Sequence, residues 1–231
     1  MPSTEPGPVK ATPYDFPFNG DFGPHNTALV IIDMQTDFCL PGGYCDQMGM
    51  DVSLTGGVIA PTRKVLHAMR AAGFQVFHTR EGHRADLADL NDNKRWRSAR
   101  LGAEIGSAGP CGRILTRGEP GWEIVPDLAP VAGEPVIDKP GKGAFHATSF
   151  GAVLADKGLK QLVFAGVTTE VCVQTTMREA NDRGFDCLLA TDATESYFPL
   201  FKEAAIAMIT AQGGIVGWAT STSAILDALD A

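Results

Sequence analysis

Runs of consecutive apolar residues predict the strands of this chain, and apolar residues at helical spacing predict the helices between them. Residues 28–33 lack the apolar–polar alternation of a half-exposed strand, so they predict a central parallel strand that is covered on both faces. A helical pattern over residues 58–72 ends at Gly73, and residues 74–79 give a second strand. These segments predict a β-α-β unit, the repeating motif of a parallel sheet.

The same alternation resumes after an irregular middle segment. Residues 80–122 are rich in Gly, Pro, Arg and Asp and have no strong period, so we interpret them as a lid or a subunit contact without choosing between the two. We expect an α/β fold with a six-stranded, mostly parallel sheet flanked by helices. The remaining strands are predicted at 135–139, 161–165, 186–191 and 213–218, and the helices at 149–157, from Cys172 to 184, at 199–212 and at the end of the chain.

The first 26 residues differ from the rest of the chain. They contain six prolines, which disfavour helix and predict an extended N-terminal arm, with residues 27–231 forming one domain. Tyr14, Phe16 and Phe18 need a surface to cover, and that surface belongs either to the same subunit or to a neighbour.

Composition narrows the class of partner. The net charge of −8 argues against nucleic acid and anionic membranes, and it favours a small neutral or cationic ligand. Because no apolar run approaches the ~20 residues of a membrane span and the N-terminus lacks the layout of a signal peptide, we expect a cytoplasmic protein. Five scattered cysteines do not form a disulfide framework, which fits a reducing compartment.

Cys172 occupies a position that favours reactivity. It follows the apolar strand at 162–165 and falls in the first turn of the next predicted helix. The free N–H groups and the positive dipole end of such a turn favour a thiolate, and the same N–H groups can stabilise an oxyanion. Most cysteines are small buried hydrophobic residues, so position alone does not decide the matter.

Asp33 and Lys139 end two other predicted strands. The carboxyl ends of parallel strands meet at one edge of a sheet, where α/β folds bind their ligands. Asp33, Lys139 and Cys172 therefore combine a proton acceptor, a cation and a nucleophile, which are the groups that thiol-based acyl transfer requires.

Three segments that contain these residues resemble the signature segments of the isochorismatase-like cysteine hydrolases. They are residues 31–38, residues 137–139 followed by Phe145 and Thr148, and residues 166–173.

The resemblance implies a three-layer αβα sandwich of Rossmann-type topology. It also implies a catalytic triad of Cys172, Asp33 and Lys139, and a cis peptide between Val167 and Thr168. The backbone N–H groups of Thr168 and Cys172 would then form the oxyanion hole. A homo-oligomer, in this family a tetramer, is expected as well.

Within the superfamily the chain most resembles the biuret hydrolases, whose reaction converts biuret and water to allophanate and ammonia. Residues 193–202 and His146 depart from that pattern, which leaves triuret, ureidoacrylate, a carbamoyl amino acid and isochorismate open as substrates. The resembling stretches are 42–44, 78–90, 93–98, 109–122, 138–143 and 175–184.

Four further residues are predicted to bind the substrate. The Gln212 amide can both donate to and accept from a urea-like group, and Lys142 can donate to a carbonyl. Phe38 and Phe145 are predicted to exclude water from the site. Alternatively, Gln212 is a surface residue at a helix end and the two phenylalanines belong to the core.

Neither a metal nor another cofactor is expected. The nicotinamidases of this superfamily bind zinc through an aspartate and two histidines, but His78 and His83 lack the corresponding Trp-His-Pro loop. Residues 140–143 lack the Ser or Thr of a phosphate-binding loop, so no nucleotide cofactor is expected. The alternative from another class is a catalytically silent scaffold that binds a partner through residues 80–122.

Overall fold

A six-stranded parallel sheet lies at the centre of the computed structural model, which describes residues 6–230. The sheet order is β5-β2-β1-β6-β7-β8 and every adjacent pair is parallel, so the predicted sheet is confirmed. Strands β3 and β4 form a separate antiparallel pair. In chain order the strands are β1 (Thr27–Ile32), β2 (Gln75–Glu81), β3 (Ala108–Gly109), β4 (Gly112–Arg113), β5 (Val136–Lys139), β6 (Gln161–Val167), β7 (Asp186–Glu195) and β8 (Trp218–Thr220).

Helices cover both faces of the sheet. Among residues 6–230, none of them has the length and apolar character that crossing a membrane requires. They are α1 (Thr36–Cys39), α2 (Tyr44–Gln47), α3 (Val52–Gly57), α4 (Ile59–Ala71), α5 (Asp92–Arg100), α6 (Phe150–Asp156), α7 (Gln174–Asp182), α8 (Pro199–Gly214) and α9 (Thr222–Leu229).

Strand β1 separates two hydrophobic clusters. Leu29 and Ile31 belong to the cluster that includes residues of α4 and α9, whereas Val30 and Ile32 belong to the cluster formed with α6, α7 and α8. All six residues of β1 are buried, as the absence of alternation predicts. The result is the expected three-layer αβα sandwich.

Helix α5 lies inside residues 80–122, for which the sequence predicts no regular element. Its sequence is almost entirely polar, and only Lys94 and Ser98 are buried, so the apolar period that reveals other helices is missing. The Asn91 side chain accepts a hydrogen bond from the Lys94 N–H at 2.8 Å and caps the first turn. The cap and the tertiary contacts of one face therefore define this helix.

The described part of the N-terminal arm, residues 6–26, packs on its own subunit. Thr12 pairs with Ala219 of the edge strand β8, and Val9 pairs with Phe16. The Phe16 ring is fully buried, with its centroid 5.4 Å from that of Trp218. The arm thus covers the β8 edge of its own subunit through Phe16, whereas Phe18 is exposed and a contact of Phe18 with a neighbouring subunit stays a prediction.

Replacing Phe16 by alanine should lower the free energy of unfolding by about 3–5 kcal/mol, because the change opens a cavity in the core. Phe18→Ala is the matched control, since Phe18 lies two residues away and is 69% exposed. Denaturant unfolding of both variants measures the difference. Equal stability of the two variants would mean that the arm does not pack as described.

Candidate active site

The carboxyl ends of three neighbouring strands bring charged side chains to one edge of the sheet. Asp33 directly follows β1, Glu81 is the last residue of β2, and Lys139 is the last residue of β5. The β2–β5 register places Glu81 opposite Lys139. Because the strands are parallel and adjacent, these three residues meet at the ligand-binding edge.

Cys172 reaches this edge through the turn that follows β6. The peptide bond between Val167 and Thr168 is cis, as the resemblance implies, and a π-helical turn at Thr169–Val173 leads into α7. Gly166 has a φ of +109°, and a Cβ there would collide with the backbone of Ile32. Glycine is therefore required for β6 to approach β1 immediately before the nucleophile turn.

Asp33 and Lys139 form a buried ion pair. The Lys139 Nζ lies 2.7 Å from Asp33 Oδ2 and donates to the Gly141 carbonyl at 2.9 Å. The Thr79 hydroxyl donates to Asp33 Oδ1 at 2.6 Å and accepts from the Asp33 N–H at 3.1 Å. These contacts fix the orientation of the carboxylate, and Asp33 and Lys139 are both fully buried.

Glu81 is a second carboxylate of the site that the sequence did not reveal. Its Oε1 accepts from Lys94 Nζ at 2.6 Å and from Lys142 Nζ at 2.8 Å. Its Oε2 accepts from the Cys172 thiol at 3.3 Å and lies 3.6 Å from Lys139 Nζ. The strand was predicted to end at Thr79; a strand extended to Glu81 would have given the same strand-end signal as Asp33.

Glu81 and Cys172 are in contact, but the surrounding charges and burial shift their pKa values in opposite directions. Burial alone would raise the pKa of Glu81, but the ammonium groups of Lys142, Lys139 and Lys94 outweigh it and hold that pKa well below its usual range. Burial raises the pKa of Cys172 well above its ordinary value, although Lys139 and Lys142 act in the opposite direction. Desolvation therefore outweighs the favourable position at the helix start, and Cys172 is a thiol at rest.

A cavity of about 230 Å³ opens above the sulfur. It brings together Asp33, Phe38, Lys142, Thr168 and Cys172, five of the residues that the sequence singled out. Lys139 does not line the cavity itself but contacts the lining residue Asp33. The other lining residues are Tyr44, Cys45, Met48, Met50, Glu81, Arg97, Leu101, Val167, Glu170, Val171, Tyr197 and Phe198.

Phe145 does not line this cavity, contrary to the prediction. It is 8% exposed and belongs to the core cluster beneath α6 and α7, where its ring centroid lies 4.9 Å from that of Phe150. The Arg183 guanidinium covers the ring at 4.4 Å. Packing against other aromatic rings turns this side chain away from the sheet edge.

Gln212 also lies elsewhere. Helix α8 begins beside Phe198 at the cavity, and Gln212 comes more than a dozen residues later, about 20 Å away at roughly 1.5 Å per residue. It is exposed, has a φ of +52° and lines a separate surface depression with Arg178 and Met208. The sequence correctly predicts that Gln212 lies near the end of a helix, but it does not show that α8 runs away from the cavity.

Part of segment 80–122 forms one wall of the cavity. Arg97 of α5 lines the cavity, as does Leu101, the first residue after this helix. Lys94 of α5 donates to Glu81. This arrangement fits the lid interpretation for α5, while a role in subunit contact stays a prediction.

Asp33, Glu81 and Cys172 are close enough to one another to bind a metal ion, but lysine ammonium groups already surround them. One ligand atom each from Asp33, Glu81 and Cys172 lies within 4.8 Å of the others. The ammonium groups of three lysines already neutralise both carboxylates, so a resident metal does not fit. His78 and His83 are buried and contact Glu134 and Asp89 instead. Metal independence stays a prediction.

Replacing Lys139 by methionine should slow alkylation of Cys172 at neutral pH by roughly tenfold or more, because an ammonium that favours the thiolate is removed. Iodoacetamide labelling followed by peptide mass mapping separates Cys172 from the other four free cysteines. The exposed Lys157→Met is the control. Unchanged labelling in a folded Lys139→Met protein would contradict this electrostatic role.

Comparisons with known sequences identify the family of this chain. Residues 27–221 match the isochorismatase domain family. The chain is 33% identical over 218 residues to ureidoacrylate amidohydrolase RutB of Pantoea ananatis, covering 90% of this chain and 84% of that protein.

Two solved structures are similar in fold. A cysteine hydrolase from Pseudomonas syringae gives a TM-score of 0.75 at 23% identity, covering 90% of this chain and 94% of that one. An isochorismatase family protein from Desulfovibrio vulgaris gives a TM-score of 0.72 at 29% identity, covering 89% and 99%. The extent of the domain match and the 33% identity to the amidohydrolase of Pantoea ananatis show that this chain belongs to the isochorismatase family.

Proposed function

We propose that the protein is a cysteine-dependent amidohydrolase that cleaves a C–N bond of a small urea-like compound, with biuret as its substrate. The observation that carries this proposal is the position of Cys172 at a small cavity, against the buried Asp33–Lys139 ion pair. Thiol-based acyl transfer needs a nucleophile, a base and a cation at one place.

Asp33 acts as the base in this proposal. Glu81 accepts a hydrogen bond from the Cys172 thiol, but three ammonium groups hold the pKa of Glu81 well below its usual range and make it a poor proton acceptor. The Cys172 proton passes to Asp33 as the sulfur attacks the carbonyl carbon of the substrate. Lys139 stabilises the carboxylate and the developing thiolate.

The tetrahedral intermediate then collapses. The backbone N–H groups of Thr168 and Cys172 are proposed to stabilise its oxyanion, and Asp33 returns the proton to the leaving nitrogen. Ammonia departs as the C–N bond breaks, leaving a thioester on Cys172. Attack by water on the thioester breaks the C–S bond, restores the thiol and releases allophanate.

The charge of the cavity wall supports a neutral substrate. Three carboxylate side chains line it, those of Asp33, Glu81 and Glu170, against two cations. Of the cations, Lys142 is engaged by Glu81 at 2.8 Å, so it offers no free clamp for a substrate carboxylate. Biuret carries no charge and has N–H donors that suit carboxylate acceptors.

Ureidoacrylate is the second candidate, and two observations favour it. The relative at 33% identity is a ureidoacrylate amidohydrolase. The second cation of the wall, Arg97, is exposed and makes no ion pair within residues 6–230. A guanidinium at the cavity mouth has the geometry to bind a carboxylate.

A purely structural scaffold is disfavoured by the energy of the site. Burying an ion costs several kcal/mol, and here several fully or largely buried ions converge on one sulfur at the edge of a cavity. Such an arrangement is typical of functional sites rather than of binding scaffolds.

Ammonia release from biuret, triuret, ureidoacrylate and a carbamoyl amino acid tests the assignment. We expect the highest kcat/KM with biuret, and we expect Cys172→Ser to reduce it by at least about a thousandfold because a hydroxyl is far less acidic than a thiol. Cys187→Ser, at a buried thiol outside the cavity, is the control. Substantial hydrolysis by Cys172→Ser would eliminate the cysteine mechanism, and no turnover of any compound would favour the scaffold.

Arg97→Gln distinguishes the two leading substrates. With biuret we expect kcat/KM to change less than about threefold, because a neutral substrate needs no guanidinium partner. A carboxylate substrate held by Arg97 would lose roughly tenfold to a hundredfold, the usual worth of a hydrogen bond to a charged group. Arg100→Gln, on the same helix but outside the cavity lining, is the control. A large loss confined to biuret would contradict the neutral-site argument.

A further inference from the structure

Three lysine side chains converge on the single carboxylate of Glu81. Lys94 and Lys142 donate to Oε1 at 2.6 and 2.8 Å, and Lys139 lies 3.6 Å from Oε2. Glu81 and Lys139 are fully buried and Lys94 is nearly so. Since a single ammonium suffices to neutralise a buried carboxylate, the additional lysines need another explanation.

Counting charges around the sulfur gives that explanation. The ammonium groups of Lys94, Lys139 and Lys142 face the carboxylates of Asp33 and Glu81. One positive charge is therefore unmatched while Cys172 is a neutral thiol, and ionisation of the thiol matches it. In a buried site, such a surplus favours the thiolate through the Coulomb interaction.

Lys94 comes from a different part of the chain than the other charged groups. It lies on α5, the helix whose residue Arg97 lines the cavity, whereas Lys139 and Lys142 lie at and just after the end of β5. Lys94 Nζ also donates to the Pro140 carbonyl at 2.8 Å, which ties α5 to the loop after β5. The charge that Lys94 supplies is present at the site only while α5 is docked.

We propose that Glu81 and Lys94 control the ionisation of Cys172: Glu81 holds the S–H group and gathers the ammonium groups, and Lys94 supplies the charge that the thiolate matches. Glu81 contacts the reacting sulfur directly, and Lys94 is a positioning residue that acts through Glu81. The consequence for catalysis rests on the proposed function, but the ionisation of the thiol does not.

Three other titratable groups that line the cavity do not ionise in the pH range in which the effect of Glu81 and Lys94 on Cys172 is measured. Burial raises the pKa of Tyr44 and of Cys45 to about 12, and it raises that of Tyr197 further. These three groups therefore stay protonated through the neutral and mildly alkaline range. Glu170 and Arg97 complete the set of charged groups lining the cavity, and both are left unchanged in the experiment.

The pH dependence of Cys172 alkylation tests the proposal without any substrate. Iodoacetamide is neutral, and peptide mapping reports Cys172 alone. Lys94→Met should move the midpoint of the rate profile upward by about one pH unit or more, and Glu81→Gln should move it downward by a similar amount. Arg95→Met, one residue along α5 and on the exposed side, should leave it unchanged.

Opposite shifts cannot come from general damage to the fold, which would alter both variants in the same direction. Lys94→Arg should restore the midpoint of the unmodified protein because it keeps the charge. Lys142→Met should shift the midpoint in the same direction as Lys94→Met. Because the Lys142 side chain is 38% exposed, this variant tests the effect of the ammonium groups on Cys172 if Lys94→Met does not fold.

Equal midpoints in Lys94→Met and Arg95→Met, or shifts of the same sign in Lys94→Met and Glu81→Gln, would overturn the proposal. Failure of the proposed function is distinguishable from this outcome. If none of the substrates is hydrolysed while the midpoints shift as stated, the control of thiol ionisation stands and the amidohydrolase assignment falls.

Discussion

The buried contact between Lys139 and Asp33 is the constraint on which the site depends. An ammonium and a carboxylate at 2.7 Å, both fully buried, are tolerable only as a pair, because an isolated buried ion costs several kcal/mol. The parallel sheet makes the pair possible by ending β1 and β5 on either side of β2 at one edge. Glu81, at the end of β2, then lies between them and is held by the surplus of lysines. The fold therefore fixes the charges, and the charges determine when the sulfur can ionise.

Burial of the site from solvent has two opposing effects on Cys172. Burial disfavours the thiolate, which explains why position at a helix start does not suffice to ionise the thiol at rest. The same burial strengthens the attraction of Lys139 and Lys142 for a negative charge once it forms. A resting thiol that ionises during attack is consistent with both effects, and it makes the proton acceptor, proposed to be Asp33, as necessary as the nucleophile.

Much of this arrangement was predictable from local sequence, and the exceptions have physical reasons. Uninterrupted apolar runs reveal buried parallel strands, and the rule that ligands bind at the carboxyl ends of strands then identifies Asp33, Lys139 and the Cys172 turn. Glu81 was missed because Arg80 and Glu81 are charged and carry no strand signal, although pairing with β5 continues the strand through them. Phe145 and Gln212 were misplaced because local sequence gives neither the direction of a side chain in a loop nor the course of a helix. Helix α5 was missed because its stability comes from a cap and from tertiary contacts rather than from an apolar stripe.

The most direct measurement of the central claim, covalent catalysis at Cys172, is rapid acid quench of the protein with biuret followed by peptide mass mapping. The expected result is an adduct on the peptide that contains Cys172, with the mass of biuret less ammonia, which appears before the steady state. If the thioester is too short-lived to accumulate, added hydroxylamine should divert the acyl group to N-hydroxybiuret in proportion to its concentration. Ammonia release from biuret with neither the Cys172 adduct nor N-hydroxybiuret would contradict a thioester at this residue.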